Sequence, residues 1–108
     1  MPANVIIKDI SALNGRKIAK GIEARWAPGQ QWVAIVCDHG TVACGAFDVK
    51  LLDEHEQCVC VAHGSKDHHL ITCEDLLAAE ISALTTLAKE KGVQKAMTGR
   101  EAVDLLSK

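Results

Sequence analysis

The stretch Trp32-Val33-Ala34-Ile35-Val36-Cys37-Asp38-His39-Gly40-Thr41-Val42-Ala43-Cys44-Gly45-Ala46-Phe47 decides how this chain is read. Every residue from Trp32 to Cys37 is apolar, and a short run of that kind between turn residues reads as a central strand covered on both faces. Asp38-His39-Gly40 interrupts the run and Thr41 to Phe47 resumes it, which predicts a β-hairpin. With His39 and Gly40 as the central turn residues, and Gly40 supplying a positive φ, Asp38 faces Thr41, Cys37 faces Val42 and Ile35 faces Cys44. Ile35, Cys37, Val42, Cys44 and Ala46 then share one side of the sheet, and Asp38, Thr41 and Ala43 the other. In that register Cys44 stands roughly 10 Å along the strand from His39 at ~3.4 Å per residue, which argues against a direct pair. Gly45 inside a strand marks a bulge or a close backbone approach.

Upstream, Val5-Ile6-Ile7 is a short apolar run and Asn14-Gly15 a turn signal. In residues 18–26 the even positions are apolar except Lys20, as in a half-buried strand, and Ala27-Pro28-Gly29 ends it. Downstream, Asp48 is placed to cap a short helix running to Glu54, residues 57–62 alternate weakly as a fifth strand, and residues 64–69 are a polar loop. Thr72 with Asp75 has capping-box spacing before a helical stripe, Leu77, Ile81, Leu84 and Ala88, that runs to Gly92 with a break near residues 80–82. Thr98 with Glu101 opens a last helix whose apolar side is Ala102, Leu105 and Leu106. Strands before helices predict an α+β single domain: a mainly antiparallel four- to five-stranded sheet with two to three helices packed on one face.

A chain of 108 residues with 48% hydrophobic and 24% charged residues fits one globular domain. The formal charge of −2, twelve scattered basic residues and only Trp26, Trp32 and Phe47 as aromatics offer neither phosphate steering nor a stacking platform, so nucleic-acid binding is not expected. The start carries no basic n-region and no apolar run reaches bilayer length, so the expectation is a cytoplasmic protein without a membrane partner. Five Cys without an export signal read as reduced thiols, most of them packed as small hydrophobes. A domain this small leaves much surface exposed, and burying more as a homo-oligomer is a reasonable expectation.

Around the hairpin, Asp38, His39 and Cys44 supply a carboxylate, a base and a thiol, the ingredients of a nucleophilic site. Cys44 as a reactive thiol draws on His39 or on the helix start at Asp48; its plain alternative is a core cysteine. His39 serves equally as a turn residue and Asp48 as a cap. Arg100, between Gly99 and Glu101 at a helix start, suits a carboxylate or phosphate, or else a structural ion pair. A second constellation, Cys58, Cys60 and His63 with His68, His69 and Cys73 beyond, offers soft ligands for zinc or iron, although the spacing is not that of a zinc knuckle.

The motifs Asp38-His39-Gly40, Cys44-Gly45-Ala46-Phe47-Asp48-Val49 and Thr98-Gly99-Arg100-Glu101-Ala102, in this order and spacing, resemble those of the YunC-like family of small bacterial and archaeal domains of unknown function. The resemblance implies a compact α+β domain without a settled activity or cofactor, and its patterned residues are Asp38, His39, Gly40, Cys44, Gly45, Asp48, Gly99, Arg100 and Glu101. This chain departs from the pattern in residues 61–69, where the family carries a glycine-rich, arginine-containing apolar strand. It also departs at Ala96, where the family often has Gly. Relatives split the long helical region, in keeping with a break near Glu80. The reading favoured by the sequence is a small anionic ligand bound near the hairpin and Arg100 with Cys44 reactive. The alternatives are a metal module at Cys58, Cys60 and His63, and an interaction protein that forms a homo-oligomer.

Overall fold

In the computed structural model, which describes residues 3–65, 67 and 69–108, the chain turns between Cys37 and Gly40, one residue earlier than the sequence pattern suggests. Cys37 pairs with Gly40, Val36 with Thr41, Ile35 with Val42 and Ala34 with Ala43, so Asp38 and His39 make the turn. Gly40 has no positive φ. Its missing side chain serves packing instead, because a Cβ there would lie 2.8 Å from Cys58 Sγ and 2.9 Å from the Cys58 carbonyl. The ladder moves by two residues in all, and an even shift leaves every side chain on its original face. Ile35, Cys37, Val42 and Cys44 are accordingly buried in one cluster and Ala34 and Ala43 in another, while Ala46 lies beyond the strand and is exposed.

The elements are β1 (Asn4–Ala12), β2 (Lys17–Ala27), β3 (Gln30–Cys37), β4 (Gly40–Cys44), α1 (Val49–Glu54), β5 (Val59–Ala62), α2 (Cys73–Ala78), β6 (Ile81–Leu84), α3 (Thr86–Glu90) and α4 (Gly99–Ser107). The strands form one six-stranded sheet in sequence order, antiparallel throughout except for β4 and β5, which run parallel and are joined through α1. The sheet thus has more strands than the expected four to five, and the extra one, β6, sits where the helical stripe was expected to break. Distant partners decide its state: Val61 and Cys60 pair with Ala83 and Leu84 on one side, and Ile81 exchanges hydrogen bonds with Met97 (2.8 Å) and Ala96 (2.9 Å) on the other. Ala96 accepts a left-handed backbone, φ +72°, to make that contact.

Among the described residues the helices are four short ones rather than two to three, and they do not all lie on one face. α2 and α4 cover the face that carries Ile10, Val33, Ile35, Val42 and Cys60. α1 covers the opposite face at β5, where Val49 and Leu52 meet Ala43, Val59 and Val61. Local capping is as the sequence suggests: Asp48 accepts from the Leu51 amide, and Thr72/Asp75 and Thr98/Glu101 form capping boxes.

β2 faces the other way from the half-buried reading. Ala19, Gly21 and Glu23 point to the helices and are buried, while Ile18 and Trp26 point outward and are 52% and 44% exposed. Glu23 is 2% exposed yet well partnered, by the Lys8 ammonium at 2.7 Å and the Cys73 amide at 2.8 Å. Burial alone raises its pKa, but Lys8 and the Cys73 amide outweigh that and hold it below the usual value. Among the described residues no helix is long and apolar enough to cross a membrane.

Candidate functional site

The parallel pairing of β4 with β5 sets Cys44 beside Ala62, so the chain leaves both strands at the same edge, through Gly45 and through His63. In sheets with parallel strands, loops at the carboxyl ends are the usual place for ligands. Two clefts open here, one of about 800 Å³ walled by His63, His69, Glu80 and Ser82, the other of about 250 Å³ walled by Cys44, Gly45 and Gln31. They share the lining residues Gly64, Ser65, His69 and Leu70.

His63 is central to it. Its ring lies over Gly45 so closely that a Cβ there would come within 2.5 Å of Cδ2 and 3.0 Å of Nε2. On the far side Nδ1 meets Ser82 Oγ in a short hydrogen bond. Ser82 Oγ also lies 3.4 Å from the Val61 carbonyl. A hydroxyl has one proton: given to Val61, it leaves Ser82 Oγ to accept from Nδ1, with the Nε2 edge of the ring over Gly45. Asp75, also on the wall, accepts from the Ile71 and Thr72 amides at 3.1 and 3.0 Å, which turns charge toward the start of α2.

Cys44 is 7% exposed and its Sγ accepts from the Val33 amide at 3.5 Å. Nearly the whole of β4 separates it from His39, five residues at about 3.3 Å each, so the two are not a dyad. Asp38 pairs with Lys17 at 3.1 Å on the surface, and His39 is exposed with its amide donating to the Leu106 carbonyl at 2.9 Å. Gly99 packs against α2, where a Cβ would stand 2.0 Å from the Leu76 carbonyl oxygen, and Glu101 completes its capping box. Arg100 Nη1 donates to the Ser11 carbonyl and lines a separate hollow of about 160 Å³ with Asn14 and Asp104, so it does not share a cleft with Cys44.

The proposed metal residues also separate. Cys60 is fully buried under α4, Cys58 is half-buried against the same core, and His63 lies outside it at the strand end. Burial pushes the Cys60 and Cys73 thiols up to about 12 and the Cys37 thiol up to about 11, and raises that of Cys58. His68 lies outside the described residues, and among those described no three His, Cys, Asp or Glu side chains converge as a metal set. The sequence reading did not single out Ser82. The signal for its site was Gly45, whose required close approach is made by His63.

Residues 43–106 match the family model described as a domain of unknown function (DUF1805). The chain is 34% identical over 76 residues to the Uncharacterized protein YunC of Bacillus subtilis (strain 168), covering 70% of this chain and 74% of that one. It is also similar to the crystal structure of a protein of unknown function, TA1206, from Thermoplasma acidophilum, with a TM-score of 0.83 at 17% identity over 99% of this chain and 97% of that one. At that identity the structural likeness speaks for the fold.

Proposed function

Since the chain belongs to the DUF1805 family of domains of unknown function, we propose its role from the cleft itself: it binds a small anionic ligand at the carboxyl ends of β4 and β5. The observation that carries this reading is the pair of clefts that share Gly64, Ser65 and His69, the larger bordered by the His63 and His69 imidazoles and the Ser65 and Ser82 hydroxyls, with the carboxylates of Asp75 and Glu80 on its wall. Imidazole rings and glycine backbone are suited to anions because both present N–H donors. Asp75 and Glu80 on the same wall limit how much negative charge is accepted, which favours a singly charged ligand such as a carboxylate over phosphate. In this reading Cys44 forms the floor of the smaller cleft, and its thiol is the group a bound ligand shields.

The test is an amide and imidazole NMR titration with acetate, and with phosphate for comparison. Expected are saturable shifts at Gly45, Gly64 and His63. His63→Ala should abolish them. Shifts confined to Ser11, Asn14 and Arg100 would move the ligand to the other hollow and overturn this assignment.

A further inference from the structure

The outer face of β1 and β2, with Val36 at the end of β3, exposes a run of apolar side chains, while Ala34 and Trp32 further along β3 pack in the cluster under α1. Strand alternation puts Val5 and Ile7 on it from β1, Ile18 and Ile22 from β2 and Val36 from β3, and Trp26 lies at the bulge that ends β2. Val5 is 61% exposed, Ile7 67%, Ile18 52%, Trp26 44% and Val36 43%, whereas the equivalent face of β4 and β5 is covered by α1. The sequence of β2 alternates as a strand does when this face is covered, and among the described residues Ile18 and Trp26 remain exposed on it.

We propose that a second copy of this chain covers it, the two outer faces of β1–β3 stacking about a two-fold axis. Three observations select a second copy. The patch is on the order of 500 Å², at the upper end of what a monomer leaves bare, and becomes the apolar centre of an interface needing about 800 Å² per partner. A molecule with extents of 40 × 31 × 25 Å has a broad face large enough to supply the polar rim. The patch also carries one charge of each sign side by side: Asp9 and Lys20 are cross-strand partners on this face, ion-paired and each well exposed. A surface holding both signs is complementary to itself under two-fold rotation, with Lys20 facing Asp9 of the partner subunit. α1 stands as a step beside the patch and confines the contact to β1–β3. The ligand cleft opens at the strand ends, so the inference stands independently of the proposed function.

Sedimentation velocity on the purified chain tests it. The expected result is a dimer of twice 11.6 kDa. Ile18→Asp should weaken association at least about tenfold with an unchanged circular-dichroism spectrum, since Ile18 is exposed and burying a new carboxylate is costly only in the dimer. Lys20→Asp should weaken it as well, and the double exchange Asp9→Lys with Lys20→Asp should restore it. Leu87→Asp, on an exposed position of α3, should leave the dimer intact. A monomeric wild-type protein at submillimolar concentration overturns the proposal. So does a dimer indifferent to Ile18→Asp, because Ile18 lies within the β1–β2 ladder and pairing through the free edge of β1 would not sense it.

Discussion

The His63 ring fills the space that a side chain on Gly45 needs, while the carbonyl of Leu76 fills the space beside Gly99. The two glycines differ in what would have to yield. At Gly45 it is an exposed imidazole, so Gly45→Ala should cost less than about 1 kcal/mol in a urea melt, yet swing the ring off Ser82 and change the His63 imidazole resonances. At Gly99 it is backbone, and α2 and α4 must part; Gly99→Ala should cost about 3 kcal/mol or more. Equal costs for the two would contradict this account.

Ala96 sits at φ +72°, where an L side chain is strained by about 1 kcal/mol. Ala96→Gly should therefore stabilise the protein by up to about 1 kcal/mol, the strain relieved being offset in part by the freer unfolded chain. Thermal unfolding of the two proteins measures it, and a lower midpoint for the glycine variant would refute the strain.

Glu23 lends the fold a pH dependence whose sign is fixed. Its folded pKa lies below the usual 4.5, so its contribution is complete above pH 4.5 and is lost as the pH falls through the lower, folded value. Lys8 acts at the other end: raised to about 12 from 10.5 by Glu23 and Glu74, it contributes below pH 10.5 and loses that as the pH rises toward 12. Glu23→Ala leaves the buried Cys73 amide without its acceptor and should cost about 1–3 kcal/mol at neutral pH. Urea midpoints for the two proteins should converge on acidification.

Thr85 is 1% exposed, and its Oγ1 accepts from the Val59 amide at 3.1 Å and the Ala88 amide at 3.4 Å, tying the start of β5 to the start of α3. Thr85→Val keeps the shape and removes the acceptor of both bonds, for an expected loss of about 2 kcal/mol. Thr85→Ser should retain most of the stability. Amide exchange at Val59 should speed up in the valine variant alone.

Native thiol labelling tests Cys44 through its place in the smaller cleft. Cys37, Cys60 and Cys73 are buried in the core, out of reach of a reagent, and burial raises the pKa of the half-buried Cys58, so the cleft is the route by which a thiol is modified fast. Fast modification, read by mass spectrometry, should vanish in Cys44→Ser and slow when the cleft is occupied by ligand; fast labelling that persists in Cys44→Ser would place the reactive thiol elsewhere.

What the sequence disclosed was local. Asp48, Thr72 and Thr98 act on amides within the next three residues, so spacing alone revealed their caps. The facing of Ile35, Cys37, Val42 and Cys44 was legible because alternation survives an even slip of register. Gly40 misled because a glycine in a turn suggests a positive φ, whereas this one is required by Cys58, far along the chain. β6 was hidden for a related reason: Ile81, Leu84 and Ala88 have helical spacing, and only pairing with β5 and with residues 96–98 makes the first two a strand. The site was half visible. Gly45 announced a close approach, but that His63 and Ser82 make it depends on the parallel crossover, which no local pattern encodes.

β1 to β4 pair only with neighbours in sequence, whereas α4 comes last and reaches back to the first hairpin, Asp104 accepting from the Leu13 amide at 2.8 Å and Arg100 donating to Ser11. The meander has short loops to close and can form early; the core beneath it cannot. During synthesis the four strands leave the ribosome with their helix-facing side bare, and the enclosure of Ile10, Val33, Ile35 and Val42 waits for residues 99–107. Those last turns of helix act as the clasp of the domain, and a chain that stops short of them keeps its largest apolar surface open to chaperones and proteases.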